Sequence, residues 1–480
     1  MTQLESLGKE PSLLSVHDHS SIVTIDGFHA HKLNNERKIF VYLPPSYKRN
    51  TAKHYPVLYM HAGQRAFEPV SPGSESWNIH QAADRLIKED LMDEIIIVAI
   101  AHVRPVESNE YYHYSAPVEE AANIRCSGLD YEDFIIHDLK PYVDARFRTM
   151  QDQENTGLIG SSAGGLSTYH TGFRRSDVFG KLIMLSPYFI KAHLDDTFEG
   201  KLREEMLYRP FDGKHKPPLK IWMDIGDAEG LFLPRHIRKV VSELVEAGFR
   251  YGDEIAYLEQ PDAAHQEADW GKRVHIPLLY MFGRPGKAVS LELIGRGIVG
   301  RTERTCQINA VIRYDSGFAM TELKGTYYVE NPDVLEVLPD GTLVPKRTGT
   351  TMVTLFADGL KASRTFTVVQ ELPKYVTVCM NVEVPYDSTP VKYIYGGMGM
   401  KLMYQGGNGY SGCFLVPRDC GFRFRFTKGF RKFELDAAGN VNLNRYFRAD
   451  KDLVLHYKVE RWDDASSQKT DRRTHADPTF

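Results

Sequence analysis

The chain has 480 residues, 42% hydrophobic and 11% aromatic, a globular composition long enough for about three domains. Its 59 Lys and Arg against 63 Asp and Glu leave a net charge of −4, so no basic excess points to nucleic acid. No window approaches the roughly 18 consecutive apolar residues of a membrane span.

Residues 1 to 10 show neither the basic nor the apolar region of a leader. The five cysteines, at 126, 306, 379, 413 and 420, are scattered and odd in number, and no second close pair completes a zinc site. These features predict a cytoplasmic protein with reduced thiols, or a secreted one if a leader precedes the sequence. No metal and no organic cofactor is expected.

Along the chain, Val57–Met60 reads as an apolar strand and His61–Gln64 as the turn after it. Ser74–Ile79, with Trp77, leads into a helix over His80–Asp90. The segment Val98–Pro105 reads as a strand running into a long polar loop, which holds Arg104, Glu110, Tyr111, Tyr112 and Tyr114. Tyrosines on such a loop suit a flat or hydroxylated substrate, or pack beneath the loop. From Asp130 to Asp144, the apolar Phe134, Ile135, Leu139, Tyr142 and Val143 recur at helical spacing.

A short apolar stretch, Thr156–Ile159, then meets Gly160-Ser161-Ser162-Ala163-Gly164-Gly165, and Leu166–Phe173 can form a helix. Gly-x-Ser-x-Gly between a strand and a helix is the setting of a nucleophile elbow. The turn is so tight that a side chain at either flanking position collides, hence the glycines. Ser162 is then exposed on a strained corner at a helix N-terminus.

A nucleophilic serine needs a base, and the base an acid. In elbow hydrolases they follow in the order serine, acid, histidine. Leu219–Gly230 reads as a buried strand ending in a glycine and acids, with Asp224, Asp227 and Glu229 near its end. Tyr257–Trp270 reads as a strand, a loop holding His265 and then a helix start. Acid and histidine thus lie beyond strand ends, where open α/β sheets bind ligands. Asp224 could serve as a structural acceptor within the apolar run. Asp227 could cap a helix near Leu231, and Glu229 could be a first-turn helix acid. Position alone leaves Asp227 and Glu229 as equal candidates for the acid.

Residues 36 to 283 resemble the Putative esterase family of α/β-hydrolases, which holds feruloyl and acetyl-xylan esterases, siderophore esterases and antigen 85-like acyltransferases. The resemblance rests on Arg37–Tyr47, Tyr55–Gln64, Ile159–Gly165, Asp224–Gly230 and Ala264–Trp270. It implies Ser162 as nucleophile, His265 as base and, from the family's Gly-x-x-acid pattern, Glu229 as acid. It also implies an oxyanion hole from the N–H groups of Ala163 and Gln64, and a pocket near Trp77, Arg104 and Tyr111. The chain departs from the family at Ala62, where relatives resembling this segment usually carry Asp. That position is outside the triad, so the departure bears on specificity.

After about residue 285 the pattern changes to short alternating runs with turn signals, which predicts all-β structure. The segment Asn331–Thr350 resembles a group 2 bacterial immunoglobulin-like domain, with Asp340-Gly341 as a hairpin turn. Residues 420 to 463 resemble a starch-binding-type carbohydrate module. Its one tryptophan is Trp462, and Tyr393, Tyr395, Tyr404 and Tyr410 are the other candidates for stacking on sugar. The expected organisation is an α/β-hydrolase domain over 1–285, two β-sandwiches over 286–372 and 373–464, and a polar tail over 465–480. The expected activity is hydrolysis of an acetyl or feruloyl ester on a carbohydrate, with glycan binding by 373–464. A siderophore lactone esterase, an acyltransferase and a non-catalytic carbohydrate-binding protein on the same scaffold are the other readings. Neither nucleic acid nor membrane is an expected partner.

Overall fold

A computed structural model describes residues 19–68, 75–103, 110–114, 125–193, 203–206, 215–386, 391–396, 400–428, 432–440 and 445–463. The first part is a sheet of eight strands. In chain order the strands are β1 (Ser21–Ala30), β2 (Asn35–Leu43), β3 (Val57–Met60), β4 (Ile96–Ile100), β5 (Thr156–Ser161) and β6 (Lys181–Leu185). A separate hairpin, β7 (Ile190–His193) with β8 (Arg203–Met206), precedes β9 (Lys220–Gly226) and β10 (Ile255–Gln260). The sheet order is β1-β2-β4-β3-β5-β6-β9-β10. The two N-terminal strands run antiparallel, and from β4 to β10 every neighbouring pair is parallel.

The parallel strands are near-continuous apolar runs, such as Val57–Met60 and Ile96–Ile100, buried along their whole length. Strands covered by helices on both faces need this pattern. Helices cover them at Ile79–Lys88, Gly128–Arg146 (with a π-helical middle, Phe134–Leu139), Ala163–Arg174, Pro234–Glu246 and His275–Phe282. The result is α/β-hydrolase-like, with β5, β9 and β10 delivering their C-terminal ends to one rim. The predicted helix near Leu231 starts instead at Pro234, so Asp227 caps nothing there.

The rest of the described chain is strand-rich. Ala288–Ile294, Asn309–Tyr314 and Ala319–Thr321 form one sheet. Ile298–Gly300, Thr326–Val329, Gly349–Ala357 and Leu360–Val369 form another, and both contribute to one core containing Leu293, Val299, Ala310, Leu355 and Phe366. The turn at Asp340-Gly341 closes a hairpin as expected, with Gly341 at φ 82°. The hydrophobic core nevertheless runs across residue 285: Val311, Ile312, Phe318, Ala319 and Met320 pack into the core of the large sheet.

Residues 375–462 form an eight-stranded sheet and a two-stranded one, Gly421–Phe424 with Arg445–Arg448. The sequence alternates from Gly421 through Lys428, yet the strand is interrupted at Arg425, and its two pieces join different sheets. Trp462 is buried, so it offers no stacking surface, whereas Tyr404 is exposed. The expectation of uniformly reduced thiols is overturned at one pair. Cys379 and Cys413 face each other on adjacent antiparallel strands and form a disulfide, which their spacing of 34 residues in sequence concealed. Cys126, Cys306 and Cys420 are not in disulfides.

Candidate active site

Ser162 occupies the corner between β5 and the helix Ala163–Arg174, at φ 54° and ψ −124°. A side chain adopts this conformation only where the surroundings enforce it. They do so here through close contact: a Cβ on Gly160 would lie 2.5 Å from the backbone of Gly164. A Cβ on Gly164 would approach the Cβ of His61 to 3.3 Å, a milder conflict. The Ser162 N–H donates to Leu185 O on β6, which ties the corner to the neighbouring strand.

His265 lies in the loop after β10. Its Nε2 is 2.8 Å from Ser162 Oγ and its Nδ1 is 2.8 Å from Glu229 Oε2. Three side chains separated by up to 103 positions thus form one chain of hydrogen bonds. The ring is wedged between Phe232, 4.7 Å away, and the edge of Trp270, 5.0 Å away.

Glu229, in the loop after β9, is fully buried, and both oxygens have partners. Oε1 accepts from the Gly226 N–H at 2.7 Å and from Ser186 Oγ at 2.5 Å, while Oε2 faces His265. Ser186 Oγ in turn accepts from Trp270 Nε1 and from Arg273 Nη2, each at 2.8 Å. Arg273 is also paired with Asp224. Burial opposes the charge on Arg273, but Asp224 and Glu229 outweigh it and raise its pKa. Burial raises the carboxyl of Asp224, with Arg273 and Trp222 Nε1 acting against it. A buried carboxylate without such partners would be costly. Asp224 is therefore a structural acceptor that reaches the histidine only through Arg273 and Glu229.

Asp227 points elsewhere. Its Oδ1 accepts from the Asp262 N–H at 2.6 Å and its Oδ2 faces Arg448 at 3.4 Å. The geometry separates the two acids that position alone left equal. Sequence reasoning passed over Ser186 and Arg273. The only signal for Ser186 was its place just past the end of β6, at a positive φ of 45° that the sequence does not display.

Ala163 opens its helix and Gln64 sits in the one-turn helix Gly63–Arg65 after β3, so the N–H of each lies in a first turn that leaves such donors unpartnered. The side chain of Gln64 is locked to His102, with Nε2 to Nδ1 at 2.5 Å and the His102 N–H to Oε1 at 3.3 Å. Ala62 adopts a left-handed conformation, φ 53°, and donates its N–H to Tyr111 OH at 2.9 Å. Of the two expectations for Tyr111, its contacts match packing beneath the loop: it is buried and braces the turn. Trp77 is likewise buried, packed 5.8 Å from Trp270, and supports the wall behind His265. Arg104 lies outside the described residues. Glu110, six positions later, is a buried partner of Arg37, at 2.9 to 3.0 Å from both terminal guanidinium nitrogens.

Besides the buried Trp270, the aromatic side chains near the triad, Phe232, Tyr188 and Tyr112, are half-buried. Phe232 stacks on Tyr188 at 5.5 Å, and Tyr188 is hydrogen-bonded to Tyr112. A cavity of about 540 Å³ lies at the opposite end of β9, lined by Lys220, Tyr251, Tyr280 and Phe318, far from Ser162. Among the described residues no group of His, Cys, Asp and Glu has metal-binding geometry.

Among curated proteins, an uncharacterized protein YjcH of Bacillus subtilis is 27% identical over 168 residues, 35% of this chain and 62% of its own. The endo-1,4-beta-xylanase/feruloyl esterase of Xylanibacter ruminicola is 27% identical over 233 residues, 48% of this chain and 27% of its own. The chain thus spans less than two thirds of the length of either relative. A solved ferulic acid esterase from Anaeromyces mucronatus is 22% identical, with a TM-score of 0.40, covering 58% of this chain and 99% of its own. An enterobactin esterase from Shigella flexneri is 15% identical, with a TM-score of 0.41, covering 57% and 60%. The model of the family described as Putative esterase matches residues 30–274, a span that includes Ser162, Glu229 and His265 and more than half of the chain. The chain belongs to that esterase family.

Proposed function

We propose that the protein is a serine esterase whose triad is Ser162, His265 and Glu229. One observation carries the reading: the His265 ring bridges Ser162 Oγ and Glu229 Oε2 at 2.8 Å on each side. Ser162 Oγ attacks an ester carbonyl as His265 Nε2 takes its proton, and the imidazolium returns that proton to the departing alcohol. Glu229 accepts from Nδ1–H, fixing the tautomer and stabilising the imidazolium. The Ala163 and Gln64 N–H groups hold the oxyanion, each donor lowering the barrier by roughly 3–4 kcal/mol. Water activated by His265 then releases the acyl group as an acid. No step needs a metal or an organic cofactor.

For the substrate we favour an aromatic acyl ester on a sugar. The half-buried wall of Phe232, Tyr188 and Tyr112 beside His265 suits a flat acyl group. The feruloyl esterase named in the Xylanibacter relative supports the same chemistry. In this reading residues 286–372 are an immunoglobulin-like unit and 373–464 a carbohydrate module, which binds sugar through exposed tyrosines such as Tyr404. Affinity electrophoresis in xylan and starch gels tests the last point. The disulfide favours an oxidising compartment over the cytoplasm.

The test is turnover of p-nitrophenyl acetate, methyl ferulate and a siderophore lactone by wild type and Ser162→Ala, with and without an added alcohol acceptor. Hydrolysis by wild type alone, fastest on the ferulate, is expected. No turnover of any ester by wild type would leave a binding protein on a hydrolase scaffold. Product yield rising with the alcohol would make it a transferase.

A further inference from the structure

The loop that carries Glu229 is held from outside the esterase sheet. Glu229 pairs antiparallel with Phe422, flanked by two backbone hydrogen bonds: Gly230 N–H to Gly421 O at 2.9 Å and Arg423 N–H to Ala228 O at 3.0 Å. The acid loop is thus joined by a β-bridge to one edge of Gly421–Phe424, whose other edge pairs with Arg445–Arg448. Side chains reinforce the junction. Cys420 Sγ lies 2.7 Å from Gly230 O, and Arg448, itself donating to Asp419 O at 2.9 Å, faces Asp227 at 3.4 Å. Leu231 and Leu233, next along the loop, are buried in the core of the C-terminal β unit with Val376, Phe422 and Phe447.

The fit is close enough to constrain residue type. Gly230 has φ +70°, and a Cβ there would lie 2.8 Å from the Phe422 ring. A Cβ on Gly421 would lie 3.0 Å from Asp227 O. Just beyond this strand, Arg425 lies over the Phe433 ring. Burial lowers its pKa while the charges of Glu75 and Glu267 act against that, so it sits in the field of groups at the rim. Glu267 follows His265 by two positions and is paired with Arg65, next to Gln64. The same β unit therefore touches the acid loop and faces the surroundings of the histidine loop and the turn after β3.

We propose that the C-terminal β unit is a working part of the active site, with Gly421 and Phe422 as positioning residues that hold Glu229 in line with His265. This rests on the triad reading. A module carried only for substrate targeting needs no hydrogen bonds to the acid loop, whereas a positioning strand does. Because Oε2 of Glu229 must stay within hydrogen-bond reach of Nδ1, a shift of the loop is felt in the chemical step more than in binding.

The test uses the full chain. Gly421→Val forces the strand off the loop, and Phe422→Leu loosens it while keeping the core apolar. Expected in Gly421→Val is a fall in kcat on the order of 100-fold, the cost of misplacing a catalytic group by ~1 Å, with KM unchanged. Phe422→Leu moves kcat the same way by less. Hydrogen exchange at Gly230 N–H accelerates in both. In the Glu229→Gln background the Gly421→Val penalty largely disappears, because the residue acts through that carboxylate; a merely structural defect would persist there. Unchanged exchange at Gly230, or unchanged kcat in both variants, overturns the proposal. Ester turnover surviving Ser162→Ala would sink the triad instead, while the exchange result would still report on the tether.

Discussion

At the scale of single residues, the choice between two acids shows where chemistry is written and where it is not. Glu229 and Asp227 are two positions apart, both carboxylic acids, and both past the end of β9. Glu229 turns inward to Gly226 N–H, Ser186 and His265, and Asp227 turns to Asp262 and Arg448. Glu229→Gln should therefore lower kcat on the order of 10³- to 10⁴-fold, because an amide cannot fix the imidazole tautomer in the same way. Asp227→Asn should stay within about a few fold, since it removes only a partly exposed ion pair. Steady-state kinetics on one activated ester measures both, and the reverse ranking would move the acid to Asp227. The elbow serine and the loop histidine were legible because their types and spacing are rare together. Ser186, Arg273 and the brace from Tyr111 to Ala62 were not, because a serine, an arginine and a tyrosine carry no local mark of long-range hydrogen bonding.

At the scale of elements, periodicity foretold the strands and helices that deliver the site. The run Thr156–Ile159 is continuous with β5, and the helix after the elbow begins at Ala163, three residues before the apolar pattern starts at Leu166. The elbow depends on its glycines for a steric reason. Gly160→Ala would drive a methyl to 2.5 Å from the Gly164 backbone, which cannot yield without opening the turn. Loss of activity together with destabilisation of about 1–3 kcal/mol is expected in denaturant titration. A fully active Gly160→Ala would mean that the corner is not built as described. The C-terminal strands were foreseen by alternation, but the break at Arg425 was not, because alternation continues through it while the two halves pair with different neighbours. Partners across a sheet, like the disulfide partners Cys379 and Cys413, are set by register that a single sequence does not display. Thiol titration of the denatured, unreduced chain should count three thiols; five would exclude the disulfide. Reduction should cost roughly 3–4 kcal/mol through the freed loop.

At the scale of the whole molecule, the composition change near residue 285 marks a change of architecture but not of packing. The cores of the esterase sheet and the following strands merge, and the acid loop lends Leu231 and Leu233 to the C-terminal core. Folding and activity should therefore be lost together. Acid should bring this about early. His61, beneath the elbow, is pushed down to about 3 by burial, and His170 to about 2 by burial and the neighbouring His113. Their folded values lie below the unfolded value of about 6.5, so the unfolded chain binds more protons. Stability is then full above pH 6.5 and declines as pH falls below it, by about 1.4 kcal/mol per unit for each histidine. Thermal melts from pH 7.5 to 5 should show Tm dropping below pH 6.5, and a flat Tm would contradict neutral burial. The central claim, that Ser162 is activated by His265 and Glu229, is tested most directly by labelling the intact chain with a fluorophosphonate and mapping the adduct by mass spectrometry. One adduct per chain on Ser162, formed far more slowly in His265→Ala, is the expected result; an adduct on another residue, or a rate indifferent to His265, would contradict it.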